Sequence, residues 1–360
     1  MFELTNEQRK CFGLSPVSDT WKRLEIKPSP YDDFKTIAYL DNNIIVKCVI
    51  SGEKIYTESE LYEAVSEDCK YLMPKTTKGK ASPLTSFNLQ KRTAVGMCLS
   101  YCNNRIEIYN NKTQCTYYST NYEDLSIGNI SEFEEWVNNW CNETTEQDIT
   151  DIENFSQQKR RHIKFNEGDV FCFKITRRLY GYGRIILDYD KMRKEKQPFW
   201  DILMTKPLVC SVYHIITERT DLKTEELSNL NSLPSTIICD NKLYYGEYRI
   251  IGNIPINQNE DYPILYGSKT LSLNDNNVCI QQGKIYKQLQ NQKALYTAFT
   301  NNHASFSLNV KINILTKCIE SNSNAPYWDL YYPLYTQGDL RNPKFRKELS
   351  EISKQMDIKL

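Results

Sequence analysis

Short apolar runs broken by asparagine turns constrain this chain more than any other feature. In "KTIAYLDNNIIVKCVISG", residues 35–52, two runs rich in aliphatic and β-branched residues flank Asp41, Asn42 and Asn43. Asparagine and aspartate tolerate the left-handed region and bond back to their own backbone, so the stretch reads as strand, turn, strand. The device recurs in "GMCLSYCNNRIEIYNNKTQCTYYS", residues 96–119, with turns at Asn103-Asn104 and Asn110-Asn111. Strands joined by such tight turns form an antiparallel meander.

Between these stretches lies "PKTTKGKASPLTSFNLQKRT", residues 74–93, which lacks periodicity and is expected to be a loop. It contains no Gly-x-x-x-x-Gly-Lys-Ser/Thr signature of a phosphate-binding loop. A helix is expected in "SEFEEWVNNWCNETT", with Ser131 as cap and Glu134 at capping-box spacing. Phe133, Trp136, Val137 and Trp140 follow at helical spacing and form one apolar stripe for packing on the meander. Residues 145–166 are polar and charged, as in a short helix or linker.

The second half opens with "EGDVFCFKITRRLYGYGRIILDYD", residues 167–190. Phe171, Phe173 and Ile175 alternate with Val170, Cys172 and Lys174, the pattern of a strand. A second strand, "GRIILDY", follows a bend at Arg177–Tyr180, in which Gly181 or Gly183 is expected to take a positive φ. Further short runs, "KPLVCSVYHII", "STIICD", "NKLYYGEYRIIGNIPI", "NNVCIQQGKIYKQL" and "FSLNVKINIL", are read as strands. At the carboxyl end Asn342 can cap a helix with Pro343 in its first turn and a stripe of Phe345, Leu349, Ile352 and Met356.

The expected fold class is therefore α+β: a mixed α+β domain, then a mostly antiparallel β domain, sheet or partly closed barrel, with a C-terminal helix. The 360 residues suit two domains. We place them at 1–150, of unknown role, and 167–360, with 151–166 as linker. Lysine plus arginine and aspartate plus glutamate number 45 each, so no net field favours nucleic acid or an anionic membrane. The basic run Lys159, Arg160, Arg161, His162 and Lys164 reads as a solvated linker. No stretch has the ~20 apolar residues of a spanning helix, and the amino terminus lacks a secretory pattern. The twelve cysteines are scattered without a Cys-x-x-Cys pair, as expected of reduced structural thiols. A cytoplasmic address is the expectation.

Catalytic patterns are sparse. Gly181-Tyr182-Gly183 leads into a strand, whereas a dinucleotide site needs a helix there. Of the three histidines, His214 sits in an apolar strand, His162 in the basic run and His303 in an Asn-rich turn. None makes a motif with a nucleophile. Asp188, Asp190, Glu195 and Asp201 read as surface acids. No catalytic residue, metal or cofactor is expected.

"GDVFCFKITRRLYGYGRIIL" resembles the opening motif of the immunity protein 26 family of bacterial polymorphic toxin systems. "LVCSVYH" and "YRIIGNIPI" are similar to later segments of that family, so the likeness spans about residues 165–260 in order. The matching residues are Gly168, Asp169, Phe171, Tyr182, Gly183, Arg184, Gly252 and Pro255. The resemblance implies a mostly β domain that neutralises a cognate toxin by binding it, without turnover. Most matching residues read as fold-forming. Asp169 and Arg184 stand either as a charge pair across the hairpin or as exposed binding groups. Arg177, Arg178 and Tyr180, at the bend, are the candidates for contact with the partner. Two other readings stand beside this one. A phosphoester or nucleotide hydrolase would use Arg177, Arg178 and Arg184 to hold phosphate and Asp169 as base. An RNA-binding protein would use exposed tyrosines and the basic run.

Overall fold

Asn42, Asn103 and Asn104 all adopt positive φ, of 54°, 51° and 61°, which closes the hairpins that the asparagine pattern predicts. The computed structural model describes residues 2–28, 32–73, 78–200, 206–268, 276–297, 305–329 and 338–358. Asp201, His303 and residues 74–77 of the expected loop lie outside them. The chain divides into two units, Met1–Arg161 and His162–Leu360.

The first unit contains α1 (Asn6–Cys11), β1 (Lys22–Ile26), β2 (Phe34–Asp41), β3 (Ile44–Gly52), β4 (Ile55–Ala64), β5 (Tyr71–Leu72), β6 (Ser82–Pro83), α2 (Ser86–Gln90), β7 (Val95–Cys102), β8 (Arg105–Asn110), β9 (Cys115–Ser119), α3 (Ile130–Asn142) and α4 (Glu146–Ser156). β1, β2, β3, β4, β7, β8 and β9 form one antiparallel sheet in that order. Alternation along β2 sends Ile37 and Tyr39 to one face and Ala38 and Leu40 to the other. The first face packs against Phe133, Val137 and Trp140 of α3 and Ile152 of α4, as the helical stripe predicts. The second packs against Leu72 and Leu89, so the stretch expected to be a loop contains the short helix α2. Thr85 caps it by accepting from Asn88 N, a Thr-x-x-Asn signal too brief to show as periodicity.

Asn129, two residues before Ser131, caps α3. Its Oδ1 accepts from Ser131 N at 2.9 Å and Glu132 N at 3.0 Å. Glu132 takes the position expected of Glu134 and reaches back to Gly128 N at 2.8 Å. Asparagine caps as well as serine does, and Ser131 falls inside the first turn.

The second unit contains β10 (Asp169–Lys174), β11 (Tyr180–Asp188), α5 (Tyr189–Lys194), β12 (Pro207–Val212), α6 (Thr224–Leu227), β13 (Thr236–Cys239), α7 (Asn241–Tyr244), β14 (Arg249–Asn253), β15 (Ile264–Ser268), β16 (Val278–Gln282), β17 (Ile285–Leu289), α8 (Ile312–Ser321), α9 (Ala325–Trp328) and α10 (Arg346–Met356). A five-stranded antiparallel sheet runs β13-β12-β11-β10-β14, and a three-stranded one β15-β16-β17. Among the described residues neither closes into a barrel. Ile186, Val209 and Ile237 of the larger sheet share a core with Leu265 and Cys279 of the smaller. Asn342 accepts from Lys344 N, and α10 buries Ile352 and Met356 against β15 and β16. The C-terminal helix is thus docked by the stripe read from the sequence.

Two expected strands contain helices: "NKLYYGEYRIIGNIPI" begins with α7 before β14. "FSLNVKINIL" runs into α8, which buries Ile314, Leu315 and Cys318. Those positions recur at helical spacing once the window extends to Cys318. On its own the short apolar run, bounded by turn residues, reads as a strand.

The hairpin glycines also have a different role. Gly181 and Gly183 lie within β11, and neither has a positive φ. The turn is made by Thr176, whose Oγ1 accepts from Leu179 N at 3.2 Å while Ile175 N donates to Leu179 O at 2.8 Å. Gly181 pairs with Phe173 and Gly183 with Phe171 across the ladder. A Cβ at Gly183 would stand 2.6 Å from Phe171 Cζ and 2.7 Å from Ser211 O. The phenyl rings lie over the backbone where side chains would be. Gly183→Ala is therefore expected to cost about 1–3 kcal/mol by overpacking, read as a lowered urea midpoint for amide protection in β11. Unchanged protection would show that the ring moves aside freely.

Candidate functional site: the β10–β11 hairpin

The residues that carry the family resemblance converge on the start of β10. Gly168 has φ +92°, a region open to glycine, and a Cβ there would lie 2.8 Å from Ile254 O. Its N–H donates to Ile185 O at 2.7 Å, and its carbonyl accepts from Ile254 N at 2.8 Å. This one residue ties β10 to both neighbouring strands. Buried Asp169 accepts from Asn166 N at 2.7 Å and from Asn253 Nδ2 at 2.8 Å. At Gly252 a Cβ would meet Thr224 Cγ2 at 2.6 Å, so the threonine side chain would have to shift.

Arg184 pairs in register with Val170. Its guanidinium bonds to Glu260 through Nη2 and reaches Pro255 O at 3.5 Å through Nη1. Both charged side chains are nearly covered, at 11% and 8% exposure. Glu260 also accepts from Asn257 N at 3.1 Å. The pair therefore pins the loop after β14 onto the sheet. Asp169 and Arg184 do not pair with each other, and neither is an exposed binding group: each is occupied by a structural partner. The acidic partner of Arg184 lies 76 residues away in sequence, so no local signal marked it.

Phe171 stacks on Tyr248 with centroids 5.3 Å apart and planes 7° apart. Tyr182 is buried with Val170, Cys172, Tyr213 and Leu227, and its hydroxyl donates to Arg219 O at 2.8 Å. Burial, with Cys172 alongside, pushes its pKa up. The contacts described for these matching residues are all to the protein's own strands and loops.

The bend residues are less buried, although Tyr180 packs against the same core as Tyr182. Arg178 is exposed, and Arg177 and Tyr180 are half-buried. Tyr180 exchanges backbone bonds with Thr217, at 2.8 and 3.1 Å, which fixes the base of the tip. Lys174 Nζ lies 5.8 Å from the Tyr180 ring centroid. The bend thus brings a half-buried aromatic ring close to a basic side chain, with its base hydrogen-bonded to Thr217. Arg184 lies four residues along β11 from Tyr180, about 13 Å at strand spacing. The three arginines do not form one cluster around Asp169.

Other candidate chemistry is engaged structurally. His214 is buried, its Nε2 lies 2.9 Å from Asn324 Oδ1, and burial pulls its pKa below the ordinary histidine value. Asp188 caps α5 by accepting from Asp190 N at 2.9 Å. Asp190, expected at the surface, is buried and paired with Lys194 at 2.7 Å. Burial pushes the Cys48 and Cys98 thiols up to about 12, so neither is a thiolate nucleophile near neutral pH. None of the twelve cysteines is joined in a disulfide. Among the described residues no group of three or more His, Cys, Asp or Glu is placed to hold a metal. No helix among them is long and apolar enough to cross a membrane.

The second unit is thus built on an antiparallel sheet opened by a glycine-aspartate hairpin and closed by a loop that an arginine anchors. Residues 166–279 match the family model described as Immunity protein 26. This segment contains all the matching residues named above. Searches of curated proteins and of solved structures found no match.

Proposed function

We propose that the protein is a bacterial immunity protein that binds a cognate polymorphic toxin and neutralises it without catalysis. The match of residues 166–279 to the Immunity protein 26 family carries this reading. A hairpin fixed at its base supports it, because a side chain held in place before binding loses less entropy on docking. We assign the contact to the tip, Arg177, Arg178 and Tyr180, since arginine and tyrosine anchor many interfaces. In this reading the protein works in the cytoplasm, and the first unit, Met1–Arg161, is a domain of its own beside the family-like one. The hydrolase alternative loses its proposed phosphate clamp, because Arg184 is committed to Glu260. The RNA alternative has the basic run and exposed tyrosines such as Tyr62 and Tyr71 to support it.

The test is co-expression with the toxin open reading frames that neighbour the gene. Protection from growth arrest and a stable complex in gel filtration are expected. Failure with every such toxin would overturn the immunity reading. Arg177→Glu/Arg178→Glu is expected to weaken the complex by at least about 30-fold, some 2 kcal/mol, with the fold intact. A complex of unchanged affinity would move the contact away from the tip.

A further inference from the structure

The first unit contains an apolar cleft of about 490 Å³, within the ~300–1,000 Å³ typical of ligand sites. Its walls are Phe2, Pro28, Phe34 and Ile130, and it opens where β2 begins and β3 ends. The walls are held firmly. Phe2 packs against Tyr56 at 5.3 Å and edge-on against Phe133 at 5.8 Å, and its N–H donates to Ser51 Oγ at 3.3 Å. Ile130 N donates to Glu53 O at 2.7 Å. Gly52 leaves the wall between them without a side chain, because a Cβ would lie 2.8 Å from Phe34 Cβ.

The rim is mostly acidic. Among the described residues Asp32, Asp33 and Glu53 line it against one base, Lys35, which is bridged to Glu25 at 3.3 Å. Lys27 and Lys54, close by in sequence, do not line the cleft. The first-turn N–H groups of Ser131 and Glu132 in α3 are taken up by Asn129.

We propose that this cleft docks an arginine side chain presented by a partner protein. The stem would lie on Phe2 and Phe34, and the guanidinium would meet the carboxylate rim. Arginine suits this shape because its plane stacks on aromatic faces and its donor fork matches carboxylates. The apolar walls would strengthen the charge pairing by excluding water. The cleft lies outside residues 166–279, so this inference goes beyond the immunity reading and does not depend on it.

The test titrates the full chain with N-acetyl-arginine methylamide, followed by NMR, with the norleucine and glutamate analogues as controls. Saturable millimolar binding is expected for the arginine probe alone, with shifts at Phe2, Phe34 and Ile130. Asp32→Asn/Asp33→Asn/Glu53→Gln should weaken it at least about tenfold, as should raising the salt to about 0.5 M, where the Debye length falls to roughly 4 Å. Should the triple variant fail to fold, Glu53→Gln alone, at an exposed position, decides the matter with an expected loss of about threefold. The proposal is overturned if the arginine probe does not saturate, if either control binds as well, or if the folded variant binds it unchanged.

Discussion

Glu58→Gln is expected to lower the stability of the first unit by about 3–5 kcal/mol. Glu58 is fully buried on β4, where it accepts from Arg9 Nε at 2.7 Å, Lys47 Nζ at 2.8 Å and Tyr56 OH at 2.8 Å. Two cations thus depend on one carboxylate. For Arg9, burial works against the charge, but the hydrogen bonds and charge of Glu58 outweigh it and leave the pKa raised. For Lys47 burial prevails, and its pKa is lowered despite Glu58. Burial and the nearby carboxylate push the Tyr56 hydroxyl well up. Removing the negative charge leaves Arg9 and Lys47 repelling each other where water cannot screen them. Since Arg9 belongs to α1, the helix should loosen from the sheet first. Urea-dependent hydrogen exchange of peptides from α1, β3 and β4 reads this directly. An apolar triple replacement, Arg9→Met/Lys47→Met/Glu58→Leu, should recover much of the loss, because the desolvation cost disappears with the charges. A loss under about 1 kcal/mol for Glu58→Gln would mean that the network is more hydrated than its burial implies.

Arg184→Ala is the counterpart in the second unit, with a similar expected loss of about 3–5 kcal/mol. It strands the carboxylate of Glu260, whose side chain is 8% exposed, and removes the donor to Pro255 O. Protection should fall in β11 and in peptides spanning residues 254–260. Arg184→Lys should restore little, because a single ammonium cannot serve Glu260 and Pro255 O as a planar fork does. Arg184→Met/Glu260→Met should lie closer to the wild type than either single change, and the full cycle gives the coupling between them. Additive effects would mean that the two side chains stabilise the sheet independently. The cycle also separates fold from function. If toxin binding survives in the double methionine variant while the tip variant loses it, Arg184 is scaffold and the tip is the contact.

How far the sequence could be read depended on the distance over which each signal acts. Turn chemistry is local, so Asn42, Asn103 and Asn104 announced their hairpins. Helical stripes are nearly as local, which is why Phe133, Val137 and Trp140 identified α3, and Ile352 and Met356 identified α10. Where two residues were equally suited, as with Asn129 and Ser131 at the start of α3, the boundary shifted. Where an apolar run was short, as at the start of α8, composition alone did not separate helix from strand. The family resemblance at residues 165–260 came from motif order and agrees with the family match over residues 166–279.

The sequence by itself determined the class of fold, most strands and the terminal helix, because these follow from spacing, turn residues and caps within a few positions. Only the tertiary structure decided what the hairpin residues do. Gly181 and Gly183 resemble bend glycines, but the rings of Phe173 and Phe171 occupy their side-chain space. Arg184 resembles a phosphate or partner ligand, yet Glu260 claims it. In both cases the partner that sets the role comes from another strand or loop. Which groups meet across a sheet is fixed by register and packing, and no single stretch of sequence contains both sides of the contact.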